Sequence, residues 1–303
     1  MIASLPKVSV LMLTYNQANY IDEAIRSVML QECDFSIELV IGNDASTDET
    51  FARCESWKRR FPDRIVLLNH PKNLGLAGNF VETYRHLRGE YVAICEGDDW
   101  WCCSHKLQRQ VDWMDEHLDF SCCFHRVVNY YQNRGTKSLS NGGQAVDTTI
   151  LDLAQRNYIS NVSALFRRGL FGELPEWMNK VSTYDLAIHL LNAAHGPLHY
   201  MKAPMAVYRQ HSAAIWSRTG QEKRWEISIQ VRELLITHFA KSRPDVSALL
   251  EAHIQRIKAE RECFFAAQRE GRNWSAGGRK TVFQYMLSKA RALVSYFMPV
   301  PRI

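Results

Sequence analysis

Residues 8–13, Val-Ser-Val-Leu-Met-Leu, form a nearly continuous apolar run, the pattern of a strand covered on both faces. Apolar residues then recur at helical spacing, at Ile21, Ala24, Ile25, Val28 and Met29. Further short apolar runs occupy 37–41 and 65–68. Each leads through polar turn residues into another helical stretch, one to about Arg60 and one to Arg88. Ser46 or Thr47 is the expected cap of the first of these, with Asp48 and Glu49 in its opening turn. A fourth run, Tyr91-Val-Ala-Ile-Cys-Glu, breaks at Gly97. Strand and helix thus alternate four times in the first hundred residues. This predicts an α/β fold with a doubly wound, mainly parallel sheet.

Beyond residue 100 the pattern loosens. It predicts a helix over 106–117, a strand over 120–131 and a flexible loop over 134–143 lying above the pocket. A strand over 161–167 follows, then a helix with Asp185 in its first turn, one or two strands over 198–209 and a polar-aromatic loop at 211–216. From residue 220 onward the texture is helical, over 225–239, 246–268 and 281–297. The expected division is a catalytic domain, 1–219, and a C-terminal helical region, 220–303. The first splits into a nucleotide-binding half, 1–100, and an acceptor-binding half, 101–219. No internal repeat is evident.

Ligands of doubly wound sheets gather outside the carboxyl ends of the strands. Thr14-Tyr15-Asn16, Asp44 and Asp98-Asp99 all fall there. Two adjacent acids beside a glycine offer hard oxygen ligands to Mg²⁺ or Mn²⁺ and, through the ion, to substrate phosphates. A solvated Gly-Asp turn is the plainer alternative.

Composition adds limits. The 303 residues are 46% hydrophobic and 23% charged, within the range of globular proteins, and the net charge of +5 does not call for a nucleic-acid partner. No apolar run approaches the ~20 residues of a membrane-spanning helix. The first residues lead directly into a strand without a signal pattern, so the cytoplasm is the default expectation. None of the eight cysteines shows the C-x₂-C spacing of a zinc site, which leaves free thiols as the better account.

Four segments in order, Val-Ser-Val-Leu-Met-Leu-Thr-Tyr-Asn, Asn-Asp-Ala-Ser-Thr-Asp, Asn-Leu-Gly-Leu-Ala-Gly-Asn and Glu-Gly-Asp-Asp-Trp-Trp, resemble the family 2 glycosyltransferases of the GT-A fold. The resemblance is strong over 6–130, weaker to about 217, and fades in the C-terminal helices. It implies a nucleotide site lined by Thr14, Tyr15 and Asn16, with Asp44 on the base or ribose and Asn73 and Gly75 in a loop near the nucleotide. It implies that Asp98 and Asp99 hold Mn²⁺ or Mg²⁺ on the diphosphate, Asp99 being the more direct ligand. Glu96 stands where many relatives have aspartate. Tyr184-Asp185 occupies the place of the catalytic base, although relatives more often show Glu-Asp there. Tyr-Arg-Gln-His-Ser at 208–212 resembles a loop that closes on the diphosphate, which makes His211 a candidate third metal ligand or phosphate contact. Trp100 and Trp101 are candidates to stack on a sugar, with wall residues as the alternative.

The implied reaction moves a sugar from a nucleotide-sugar donor, a UDP or dTDP sugar first, to a hydroxyl of a glycan or lipid-linked glycan, with inversion. Cell-surface polysaccharide or lipopolysaccharide assembly in a bacterium is the implied setting. The basic amphipathic segment 277–303 fits contact with an anionic membrane surface, packing on the catalytic domain, or a second copy of the chain. Two other readings remain. A sugar-1-phosphate nucleotidyltransferase would carry a Gly-rich loop with a nearby Arg and Lys after the first strand, which is missing here. A non-catalytic scaffold is disfavoured by the joint presence of Asp44, Asp98, Asp99 and Asp185.

Overall fold

The computed structural model describes residues 5–269 except 141 and 213. Strands β1 (Val8–Thr14), β2 (Ile37–Asn43), β3 (Ile65–Asn69) and β4 (Tyr91–Ile94) alternate with helices α1 (Ile21–Met29), α2 (Thr50–Arg60) and α3 (Gly75–Tyr84). The four strands pair in parallel in the order β3-β2-β1-β4. Every residue of β1 and β2 is buried, which explains their unbroken apolar character. From β1 the chain winds outward through β2 and β3, then returns to place β4 on the other side of β1. That reversal opens a crevice at the carboxyl ends of β1 and β4.

The sheet continues through β5 (Trp100–Trp101), β6 (Cys122–Tyr131), β7 (Thr136–Leu139), β8 (Asp147–Thr148), β9 (Leu165–Arg167) and β10 (Leu198–Gln210). Helices α4 (Lys106–Glu116), α5 (Ile150–Gln155) and α6 (Asp185–Ala193) lie between them, and α7 (Ile215–Arg218) follows β10. The order runs β4-β9-β6-β10-β5, with β7 on β6 and β8 on β10. Strand β9 is antiparallel to both β4 and β6, whereas β10 is parallel to β6. The fold is α/β as expected, and its second half is mixed.

Several local expectations change. Residues 136–139 are not a free loop but strand β7, antiparallel to β6, reached through Gly135 at φ 62°. The segment expected as a strand over 161–167 opens with a 3₁₀ turn, Asn161–Ser163, before β9. The one or two strands expected over 198–209 are a single 13-residue strand, β10, with a register shift between Met201 and Ala206. Helix α2 starts at Thr50, later than expected, so Ser46 and Thr47 do not cap it. Asp48 Oδ1 accepts from the Thr50 N–H at 2.9 Å.

The chain divides into two compact units, with the break between Thr219 and Gly220. In the second, α8 (Gln221–Phe239) and α9 (Pro244–Arg269) pair antiparallel: the Trp225 and Phe264 rings lie 5.3 Å apart, and Arg261 bonds Glu222 at 2.8 Å. The helix expected over 281–297 and the basic segment 277–303 lie outside the described residues. Among the described residues no helix is long and apolar enough to cross a membrane. The cysteines are free thiols, four of them (Cys54, Cys95, Cys122, Cys123) fully buried.

Candidate active site

At the end of β1, Thr14 is buried and its hydroxyl has no hydrogen-bond partner among the described residues, while Tyr15 is exposed. Asn16 follows in the left-handed region at φ 52°, a conformation asparagine tolerates better than most residues. Its Oδ1 accepts from the Thr47 N–H at 2.8 Å, and its own N–H donates to Ser46 Oγ at 3.0 Å. Gln17 N donates to Thr50 Oγ1 at 2.7 Å and Ala18 N to Asp48 Oδ2 at 3.1 Å. The Asn16 side-chain oxygen is therefore committed to joining the loops after β1 and β2. Ser46 donates onward to Asn43 Oδ1 at 2.6 Å, which occupies the hydroxyl expected as a cap.

Asp44 and the 73–75 loop, distinct in sequence, form one cluster. Asp44 is buried and its Oδ1 accepts from the Leu74 N–H at 2.6 Å. Asn73 Nδ2 donates to the Asp44 carbonyl at 3.2 Å, and Asn73 Oδ1 accepts from the Gly75 N–H at 3.0 Å. Gly75, at φ 75°, begins α3 in a backbone conformation that a side chain would strain.

The acidic turn after β4 packs against β1 through Gly97. A β-carbon there would lie 2.4 Å from Gln17 Oε1 and 2.9 Å from Thr14 Oγ1. Asp98 Oδ2 lies 3.0 Å from His211 Nε2, so the structure brings together two of the three expected metal ligands. Asp99, expected as the more direct ligand, lies deeper than Asp98. It is 2% exposed, and its Oδ1 accepts from the Arg209 N–H at 2.8 Å. Burial, then the neighbouring Asp98 charge, pushes its carboxyl well above the usual range. Among the described residues no three His, Cys, Asp or Glu side chains gather as a metal cluster.

Arg209 holds this turn. Its Nε donates to the Asp98 carbonyl at 2.9 Å, it ion-pairs with Glu23, and its guanidinium lies 4.4 Å over the Trp100 ring and 4.8 Å over Tyr20. One face of Trp100 is thus taken by Arg209. Trp101 is a wall residue: it is buried, its Nε1 donates to the Val162 carbonyl at 3.0 Å, and Lys106 covers its ring at 4.2 Å. The sequence signal for Arg209 is its place in the Tyr-Arg-Gln-His-Ser segment, two residues before His211.

Asp185 begins α6, where the helix dipole favours a carboxylate, and its Oδ2 accepts from Asn157 Nδ2 at 3.0 Å. Its neighbour Tyr184 stacks on Phe80 at 4.0 Å and donates its hydroxyl to Glu96. Asn161 Nδ2 adds a 3.4 Å contact to the same Glu96 oxygen. Burial raises the Glu96 carboxyl to about 7 against the lowering effect of these two donors. Glu96 is therefore clamped between the acidic turn and α6. Burial, then the charges of Asp99, Asp98, Glu96 and Asp185 in that order, raises the Tyr208 phenol.

The sequence profile described as glycosyl transferase family 2 matches residues 9–174, more than half of the chain. The chain belongs to glycosyl transferase family 2. This family 2 member is 33% identical over 222 residues to the uncharacterized protein Rv1520 of Mycobacterium tuberculosis, covering 72% of this chain and 63% of that one. It thus spans less than two thirds of the length of that relative. It is 27% identical over 241 residues to TuaG of Bacillus subtilis, named as a teichuronic acid biosynthesis glycosyltransferase, covering 78% of this chain and 92% of TuaG. Among solved structures, Staphylococcus aureus TarS residues 1–349 in complex with UDP-GlcNAc aligns with TM-score 0.59 at 18% identity, covering 86% of this chain and 81% of that one. The shared fold is GT-A.

Proposed function

We propose that this chain is an inverting, metal-dependent glycosyltransferase that moves a sugar from a nucleotide-sugar donor to a hydroxyl of a glycan or lipid-linked glycan. The observation that carries the reading is the link between the acidic turn, where Asp98 meets His211, and the start of α6, where Asp185 stands, through the Tyr184–Glu96 hydrogen bond. Thr14, Tyr15, Asp44, Asn73 and Gly75 frame the nucleotide side, with Asn16 fixing the loops. The unit ending at Thr219 carries both the donor half, 1–100, and the acceptor half, 101–219.

A carboxylate beside an imidazole suits Mn²⁺ or Mg²⁺, ions that complete their shells with water and substrate phosphate oxygens. Asp98 and His211 would hold the ion, and Asp99, turned inward, would fix the turn that presents Asp98. Bound there, the cation supplies charge neutralisation for the departing nucleoside diphosphate. Arg209 keeps the two acids in register through contacts to the main chain of one and the carboxylate of the other. Asp185, with one oxygen held by Asn157, accepts the proton of the attacking acceptor hydroxyl. Attack from the face opposite the leaving group inverts the anomeric centre without a covalent enzyme intermediate. A UDP or dTDP donor and a cell-surface glycan acceptor are the substrates to try first, supported by the UDP-GlcNAc complex of TarS and the name of TuaG.

Thermal shift against UDP, dTDP, GDP and CMP, each with and without Mn²⁺, tests the donor site. Stabilisation by one nucleotide that needs Mn²⁺ and disappears in Asp98→Ala is expected; a shift that survives in that variant removes Asp98 from the ligand set. Asp185→Asn keeps the nucleotide shift and lowers turnover by about 10²–10⁴-fold, the weight of a positioned base. Near-normal turnover in this variant would place the base elsewhere.

A further inference from the structure

A cavity of about 490 Å³ opens between the segment after β7 and the segment after α5, lined by Gly142, Gly143, Gln144, Arg156, Asn157 and Tyr158. Asn157 belongs both to this cavity and to the reaction space, because its Nδ2 donates to Asp185 Oδ2 at 3.0 Å. A molecule filling the cavity therefore reaches the proposed base through one side chain. The lining is polar, and its single charged group is cationic. Arg156 is exposed, and among the described residues no carboxylate lies within ion-pair distance of its guanidinium. A second cation borders the rim: a β-carbon on Gly142 would lie 3.2 Å from Arg126 Nη2, while Arg126 Nε donates to the Ser140 carbonyl at 2.8 Å. Gly143 has open space where a side chain would stand, which leaves its main chain accessible. Tyr158 forms a fixed wall, its hydroxyl donating to Thr148 Oγ1 at 2.7 Å and its ring packed 5.5 Å from Phe124.

We propose that this cavity is the acceptor subsite and that it selects a glycan carrying an anionic group close to the hydroxyl that is glycosylated, with Arg156 as the residue that recognises the charge. The proposal rests on the glycosyltransferase reading above and adds the chemical class of the acceptor. A guanidinium offers paired N–H donors that match a carboxylate or a phosphate, and it stays charged at any working pH. The Gln144 and Asn157 amides and the glycine main chain supply donors and acceptors for sugar hydroxyls. The anion comes either from a uronic acid carboxylate or from a phosphodiester in the acceptor chain, and the two sources separate by experiment.

Saturation-transfer NMR and titration of the full chain are run with three probes: a uronate-containing tetrasaccharide, a polyol-phosphate oligomer and a neutral tetrasaccharide. One anionic probe binds, the neutral probe binds at least about tenfold more weakly, and Arg156→Gln removes most of that difference, as loss of a charge-assisted contact does. Arg156→Lys retains part of it. The preferred probe identifies carboxylate or phosphodiester as the source. Equal binding of neutral and anionic probes, failure of both anionic probes, or undiminished binding in Arg156→Gln overturns the proposal. The Mn²⁺-dependent nucleotide shift is measured on the same samples. Its presence in both wild type and Arg156→Gln shows that the variant is folded with its donor site intact; its absence from the wild type counts against the glycosyltransferase reading itself.

Discussion

In the first half of the sheet, polar residues at the strand ends find their partners on neighbouring strand-end loops. Asn16 joins Ser46 and Thr47, Asn43 joins Ser46 and Asn69, and Asp44 joins Asn73 and Leu74. In the second half the partners are distant in sequence. Arg209 reaches Asp99 across 110 residues, His211 reaches Asp98 across 113, and Tyr184 reaches Glu96 across 88. The difference follows from topology. Successive parallel strands deliver their carboxyl ends to one edge in chain order, whereas the second half inserts β9 between β4 and β6 and returns through β10 before it meets the acidic turn. The first half ties neighbouring loops together at one edge, and the second half brings side chains to that edge from far along the chain.

If that contrast is right, breaking one long-range strut costs function more than loosening a local one. Arg209→Ala should weaken Mn²⁺-dependent nucleotide binding by about 10–100-fold, the usual cost of losing a group that orients metal ligands. The comparison to make is titration with the metal against titration without it. An equal loss in both would show general collapse of the site rather than misplacement of Asp98.

A local strut should register mainly as stability. Asn16→Gly keeps the left-handed backbone but loses the acceptor for Thr47, at about 1 kcal/mol. Asn16→Ala adds the strain of φ 52° and costs roughly 1–2 kcal/mol more. Denaturant midpoints of the two variants separate these contributions. Identical values would mean that the backbone at Asn16 relaxes instead of holding strain.

A third effect concerns acid. His189 on α6 is buried, its Nε2 lies 3.0 Å from Asn161 Oδ1, and burial lowers its imidazole from 6.5 to about 3. As pH falls below 6.5 the unfolded chain takes up this proton before the folded one does. The stability associated with neutral His189 is therefore complete above 6.5 and is lost progressively as pH falls toward about 3. His189→Gln should flatten the fall in denaturant midpoint between about pH 7.5 and about pH 5. An unchanged slope would assign acid sensitivity to other groups, with the deeply buried His125 next in line.

What could be read from the chain and what could not follows the same division. Unbroken apolar runs, helical spacing and polar strand ends are local properties, so β1 to β4, the crevice beside β1 and the gathering of Thr14, Asp44 and Asp98 there were legible. Asp185 was legible because it opens a helix. Strand β7 was not, since Thr136–Leu139 is exposed and polar and becomes a strand only by pairing with β6. Nor could the sequence decide which of Asp98 and Asp99 faces inward. Adjacent residues of a turn have the same composition on either face, and the Arg209 N–H, brought in by β10, selects Asp99. The bonds from the Ala18 N–H to Asp48 Oδ2 and from the Asn16 N–H to Ser46 Oγ likewise depend on β1 lying beside β2. Periodicity and strand-end chemistry thus specify the sheet and the edge at which it works. Only packing of residues a hundred positions apart fixes which oxygen, nitrogen and ring point into the space where the reaction would occur, because a hydrogen bond constrains two atoms in space and leaves no mark on the sequence between them.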